Sequence, residues 1–346
     1  MTSQLLIEMP AEGAVRLLTL SLLEQLSQRT PEPNANGDTS TARAHDTYRS
    51  ALGRLRGCVA LYADALGDSV PRKSRRALRS LGAATERLHR TGVQLAWSRR
   101  MMPDVGESDA LESLGDGARA AAWLHQRLGQ RQERAARALQ RVQADTRPLR
   151  RLEKRLGVYT TAVRLDTVSM QRSFAAMSGD QLTANALELH DGMRASRTVA
   201  DHGELRRALQ VTERLGYLIE PIRAYIDVDV LSADIGELRR TLERLDDAAI
   251  VGRAILRAGR RVGALHAADV LRATMWSAEI VSSDHPENGR AHVTAARLQR
   301  GLIILAQTLH DDAARAFDDL DAMRLAGMID RLDDGVTELA TRLRQA

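Results

Sequence analysis

The chain has 346 residues, 44% of them hydrophobic but only 3% aromatic, and 50 Lys plus Arg against 45 Asp plus Glu leave a net charge of +5. That is enough apolar chain for two domains or one large helical one, and too few rings for the stacking platforms of a single-stranded nucleic-acid binder. The single cysteine, Cys58, excludes an intrachain disulfide and fits a reducing compartment.

The opening MTSQLLIEMPAEG carries Glu8 and Glu12 and lacks the basic region of a signal peptide. AEGAVRLLTLSLLEQLSQR predicts a first helix, stopped by Pro31 and Pro33, after which PEPNANGDTSTARA is rich in loop formers. A second helix is predicted from about Thr47 to Leu66. Leu52, Leu55, Val59, Tyr62 and Leu66 give it an apolar stripe at steps of three and four. Asp46 or Thr47 suits its N-cap, and Gly67 and Pro71 mark its end. A third runs from Pro71 to about Met102 on Leu78, Leu81, Thr85, Leu88 and Leu95, and MMPDVGESDALESLGDG reads as a loop with room for one short helix. A long cationic helix follows over Ala118–Asp145, then one from Leu149 through Met177, broken near Gly157. Further helices are predicted over Leu182–Ala200, Glu204–Ile226, Ala233–Arg261, Leu265–Ser282 and His292–Leu325, with a last one to Leu343. No segment alternates as a strand would, so the predicted fold class is all-α. No stretch approaches the ~18 uninterrupted apolar residues of a membrane span, and a cytoplasmic protein is expected.

All cations but Lys73 and Lys154 are arginines, whose planar forks grip phosphate bidentately. From Arg43 to Gly157 there are 24 basic and 12 acidic residues, while HDDAARAFDDLDAM near the end reverses the sign. Three helices carry cationic stripes: His45, Arg49, Arg54 and Arg56; then Arg72, Arg76, Arg79 and Arg90; then Arg127, Arg131, Arg134 and Arg141. One such stripe is ordinarily a solvated face, where a surface ion pair contributes ~0–1 kcal/mol. Three on separate helices predict a shared groove for an anion. Asp311, Asp312, Asp318, Asp319 and Asp321 read as a solvated acidic face. His89, His125, His190 and His202 lack metal-ligand spacing, and no P-loop or nucleophile elbow is present. No catalytic residue, metal or cofactor is expected.

There is also a faint internal repeat. Arg54-Leu55 stands 160 positions before Arg214-Leu215, and ERL at 86–88 stands 157 before ERL at 243–245. This order of elements resembles the CHAD family, the conserved histidine α-helical domain, over about residues 10–330. The family's signature helix reads roughly H-x-x-R-x-x-x-R-R-L-R. HDTYRSALGRLRG keeps Arg49, Arg54, Leu55 and Arg56 in register, with Asp46 in the histidine's place, His45 one residue early and Gly53 in place of an arginine. The second signature, K-R-L-R-Y-x-x-E, appears as ERLGYLIE. Arg214, Leu215, Tyr217 and Glu220 match, while Glu213 and Gly216 replace cations.

The resemblance implies two four-helix-bundle halves, here 1–157 and 158–346, related by a pseudo-twofold, with a basic groove that binds inorganic polyphosphate. The implied function is non-enzymatic binding of polyphosphate or another polyanion, with association to polyphosphate granules an open option. Its expected contacts are His45, Arg49, Arg54, Arg56, Arg72, Arg76, Arg79, Arg90, Arg127, Arg131, Arg134 and Arg214. The alternative is a helical interaction or scaffold protein with a protein partner, motivated by Gly53, Glu213 and Gly216 where the family has cations. Nucleic acid is not the expected partner, although duplex DNA competes on charge alone.

Overall fold

A computed structural model describes residues 4–30, 39–102, 115–158, 172–277 and 287–345. In chain order the helices are α1 (Gln4–Glu8), α2 (Ala11–Gln28), α3 (Thr39–Leu61), α4 (Ala63–Leu66), α5 (Arg72–Arg100) and α6 (Asp116–Ala144). They continue as α7 (Arg147–Gly157), α8 (Phe174–Ala195), α9 (His202–Ile219), α10 (Asp229–Ser277), α11 (Glu287–Leu325) and α12 (Met328–Gln345). A 3-10 turn, Gly67–Ser69, follows α4, and an isolated bridge joins Pro10 to Ser173; no strand occurs among the described residues. The fold is all-α, as the periodicity requires.

Helix boundaries moved where a local device overrode the pattern. Helix α3 begins well before Thr47, so His45 lies inside it. Helix α8 begins at Phe174 rather than Leu182, because the Ser173 hydroxyl accepts the Ala176 N–H at 3.1 Å and Phe174 is fully buried. Helix α10 is continuous where two helices with a break near Gly263 were expected. A helical glycine weakens the helix by ~1 kcal/mol, too little to end one anchored by Ile255, Ala258 and Val262. Gly67 closes α4 at φ +45° and Gly327 separates α11 from α12 at φ +69°, a region that favours glycine. The loop readings over 31–38 and 103–114, the stretch 159–171 beyond the break at Gly157, and the helix tail over 278–282 lie outside the described residues.

The chain forms two compact units. Unit one comprises Met1–Arg87, Ala136–Glu243 and Phe317–Ala346; unit two comprises Leu88–Ala135 and Arg244–Ala316. The chain passes between them within α5, α6, α10 and α11, so each unit draws on both halves of the sequence.

Unit one buries Val15, Leu55, Leu152, Leu156, Phe174, Leu182, Leu215, Leu218 and Leu343, each a gain of about 1.5–3 kcal/mol over exposure. Tyr62 packs its ring 5.6 Å from that of Phe174 and shares a 2.9 Å hydrogen bond with the Ser178 hydroxyl. Helix α8 is held at both ends of its packing surface. A Cβ on Gly179 would stand 2.9 Å from the Ala340 carbonyl oxygen of α12, so only glycine allows that approach. At its other end the Arg324 guanidinium donates to the carbonyls of Met193 at 2.9 Å and Ser196 at 2.7 Å, groups that helix geometry leaves unsatisfied.

Unit two is built on Trp97, Leu124, Leu128, Val251, Ile255, Val262, Leu302, Leu305 and Leu309. The buried Gln94 amide donates to the Ile250 carbonyl at 3.0 Å. Gly301 lets α11 close on α6: a Cβ there would run into the Asp116 carbonyl and come within 2.7 Å of the Ala120 methyl.

Candidate anion-binding site

Two cationic clusters can be built from the sequence upward, one in each unit, and they differ in what faces the cations. In unit one, α3 buries Tyr48, Ala51, Leu52, Leu55 and Cys58, leaving His45, Arg49, Arg54 and Arg56 along its flanks. Burial of Cys58 pushes its thiol up to about 11, so this cysteine is not a thiolate at neutral pH. Burial also holds His45 below its ordinary value, against the upward pull of Asp46; the imidazole is neutral at pH 7 and adds no positive charge. Arg49 is half-buried, with Nε 4.0 Å from Asp46.

Helix α9 lies against this face. The Tyr217 ring covers Gly53 and Gly57. A Cβ at Gly53 would stand 2.8 Å from the tyrosine hydroxyl, and one at Gly57 would stand 2.6 Å from the ring. An arginine at 53 has no room here. One turn from Tyr217, the Glu213 carboxyl is raised above its ordinary value, chiefly by burial and in part by Glu243 and Glu86, while Arg49 and Arg239 pull it down. Burial and the neighbouring Glu213 push the Tyr217 phenol up to about 12.

Three arginines of this face meet carboxylates. Arg54 meets Glu220 at 2.7 Å, Arg214 meets Glu188 at 2.6 Å and Arg206 meets Glu86 at 3.4 Å. The exposed Arg56 guanidinium lies across Gly82, where a Cβ would collide with it. Arg72, Arg76 and Arg79 are exposed on the same unit's part of α5, and Arg90, half-buried, belongs to unit two. Arg54 and Arg214 are therefore each held by a carboxylate, while Arg56, Arg72, Arg76 and Arg79 are exposed.

Unit two gathers cations differently. On α6, Leu124, Leu128 and Ala135 are buried, which sets exposed Arg127 and Arg134 and half-buried Arg131 beside the packing seam. On α10, the buried Val251, Ile255, Ala258 and Val262 face the same core and set exposed Arg257 and Arg261 beside it. Burial, then the like charges of Arg257, Arg261, Arg127 and Arg134, hold the Arg131 guanidinium below its ordinary value. Arg127 also lies over the Trp123 ring, 4.6 Å from its centroid, which fixes the guanidinium plane.

The sequence pattern singled out Arg127, Arg131 and Arg134 but missed Arg257 and Arg261. Their signal was the same one, two arginines four apart beside an apolar stripe in IVGRAILRAGRRVG. What it lacked was the pairing of α10 with α6. Such a cluster holds repelling charges close together, a cost that a bound anion removes.

Among the described residues no helix is long and apolar enough to cross a membrane, and no group of three or more His, Cys, Asp or Glu side chains is placed to hold a metal ion. Compared with protein-family models, with curated proteins and with solved structures, the chain finds no match.

Proposed function

We propose that this chain is a non-enzymatic binder of inorganic polyphosphate, or of a similar polyanion, in the manner of the CHAD family, and that the arginines of α6 and α10 hold it. The observation that carries this is the gathering of Arg127, Arg131, Arg134, Arg257 and Arg261 about one another, with like charge as the dominant electrostatic influence on Arg131. Along α6 the three arginines span about 10 Å at 1.5 Å per residue, a length suited to successive phosphates of a flexible chain. Each guanidinium offers a two-pronged fork, and each phosphate neutralised releases counterions. The proposal extends to a cytoplasmic place at polyphosphate granules. It extends also to an architecture of two four-helix bundles related by a pseudo-twofold, supported by the 160- and 157-residue offsets of the repeat.

Titration of the protein with long-chain polyphosphate tests the reading. With about 0.7 per phosphate, five contacts give a log–log salt slope of about 3–4, hence roughly a hundredfold loss of affinity between 50 and 200 mM salt. Arg131→Glu combined with Arg257→Glu should abolish binding, while Arg54→Glu, whose wild-type side chain already faces Glu220, should leave it unchanged. Absence of binding at both salts, or binding indifferent to the reversals, refutes it.

The scaffold reading rests on a separate observation, the carboxylates that already face Arg54, Arg214 and Arg206. Recovery of a stoichiometric protein partner, undisturbed by excess polyphosphate, would favour that alternative.

A further inference from the structure

The arginine cluster of unit two contains a feature that a bare phosphate chain does not use. Arg127 lies over the ring of Trp123, one turn before it, 4.6 Å from the centroid. Trp123 is half-buried and packs against the core of Leu124, Leu128 and Ile255, so the indole is a fixed plate, while Arg127 itself is exposed. A guanidinium donates hydrogen bonds only in its own plane, so phosphate oxygens meet its edge. Its two faces are weakly hydrated and stack on flat rings. With one face over the indole, Arg127 offers the other to a second ring.

The rest of the cluster lies where such a ligand would carry its charge. At 1.5 Å per residue, Arg131 and Arg134 follow Arg127 at about 6 and 10 Å along α6. Trp123, Arg127, Gln130, Arg131 and Arg134 share one helix face at steps of three and four, and no Asp or Glu interrupts it. On α10 the stretch that brings Arg257 and Arg261 also carries no Asp or Glu, from 248 to 268. A nucleoside 5′-triphosphate has the matching layout, a flat base at one end and, one sugar away, a chain of three phosphates. Inorganic polyphosphate has no ring and leaves the outer face of Arg127 unused. A nucleic-acid single strand needs several stacking plates in succession, and this stripe has one.

We propose that a nucleoside triphosphate binds the arginine cluster and competes there with polyphosphate, its base stacked on the Arg127 guanidinium over Trp123 and its phosphates held by Arg131, Arg134, Arg257 and Arg261. The inference rests on the cluster put forward above as the polyphosphate site, and adds a ligand which that cluster selects over a bare phosphate chain of equal length.

Isothermal titration of the full chain with ATP, tripolyphosphate and long-chain polyphosphate, in buffer without divalent cations, tests this. Tripolyphosphate carries at least the charge of ATP, so charge alone makes it the tighter ligand or an equal one. Stacking of one base makes ATP about fivefold or more tighter than tripolyphosphate, and ATP should displace long-chain polyphosphate. Arg127→Lys keeps the charge on an exposed side chain but removes the stacking plane. It should fold with unchanged helical circular dichroism and bring the ratio of ATP to tripolyphosphate affinity down to about one. Arg131→Glu combined with Arg257→Glu should abolish ATP binding. ATP no tighter than tripolyphosphate, a ratio unmoved by R127K, or ATP binding that survives the double reversal overturns the proposal. If long-chain polyphosphate binds while ATP is no tighter than tripolyphosphate, this inference falls and the polyphosphate reading stands. If long-chain polyphosphate fails to bind, the polyphosphate reading falls and the competition with it.

Discussion

Replacing Arg131 with methionine should stabilise the protein while weakening its hold on polyphosphate. Methionine keeps the unbranched stem and a similar helix propensity, so the change removes charge with little else. Arg127 stands four residues before Arg131 and Arg134 three after it, and like charges at these spacings destabilise a helix by about 0.2–0.5 kcal/mol each. Arg257 and Arg261 act on Arg131 from α10 as well. Their relief brings the gain to about 1 kcal/mol at low ionic strength, or roughly 1–2 °C in Tm for a chain of this length. Screening sets in over about 10 Å at 0.1 M salt, so the gain should fade by about 0.5 M. In the same variant, polyphosphate affinity should fall about tenfold, and the salt slope by about 0.7. Calorimetric melting at low and high salt, paired with titration, reads both. A lower Tm at low salt, or an affinity that does not move, refutes the idea that Arg131 sits among like charges kept for an anion.

Gly179→Ala should lower Tm, because the new methyl would press on the Ala340 carbonyl; overpacking costs about 1–3 kcal/mol against at most about 1 kcal/mol of gained helix propensity. A higher Tm would show that α8 and α12 separate easily there. Glu213→Gln should change the pH dependence of stability. Burial raises this carboxyl above 4.5, so the native state holds its proton more tightly than the unfolded chain does, and stability drains away as pH rises through the raised value. The variant should melt higher than the parent at pH 7 and nearly level with it at pH 4.5; a variant weaker at pH 7 would mean that the attraction to Arg49 outweighs burial.

Much of the helical layout was legible because period and punctuation are local. Of the stripe Leu52, Leu55, Val59, Tyr62 and Leu66 all but half-buried Val59 are buried, and of Leu78, Leu81, Thr85, Leu88 and Leu95 on α5 all but half-buried Leu95. Gly67 ends α4 in the left-handed region that its position suggested. Less was legible of the candidate site. Arg54 and Arg214 looked like free cations because their carboxylates, Glu220 and Glu188, lie 166 and 26 residues away along the chain. Gly53 looked like a lost contact, whereas Tyr217, from another helix, occupies the space beside it.

By itself, the sequence determined that this chain folds into helices, roughly where most of them run, and that arginine supplies nearly all its positive charge. Periodicity and capping act within a few turns, so they survive without knowledge of the rest. Only the tertiary structure decided which arginines meet acids and which meet one another, because a side chain's electrostatic neighbours come from whichever helices pack beside it. That is why Arg54 of α3 and Arg214 of α9 each meet a carboxylate, while Arg131 stands among four of its own kind.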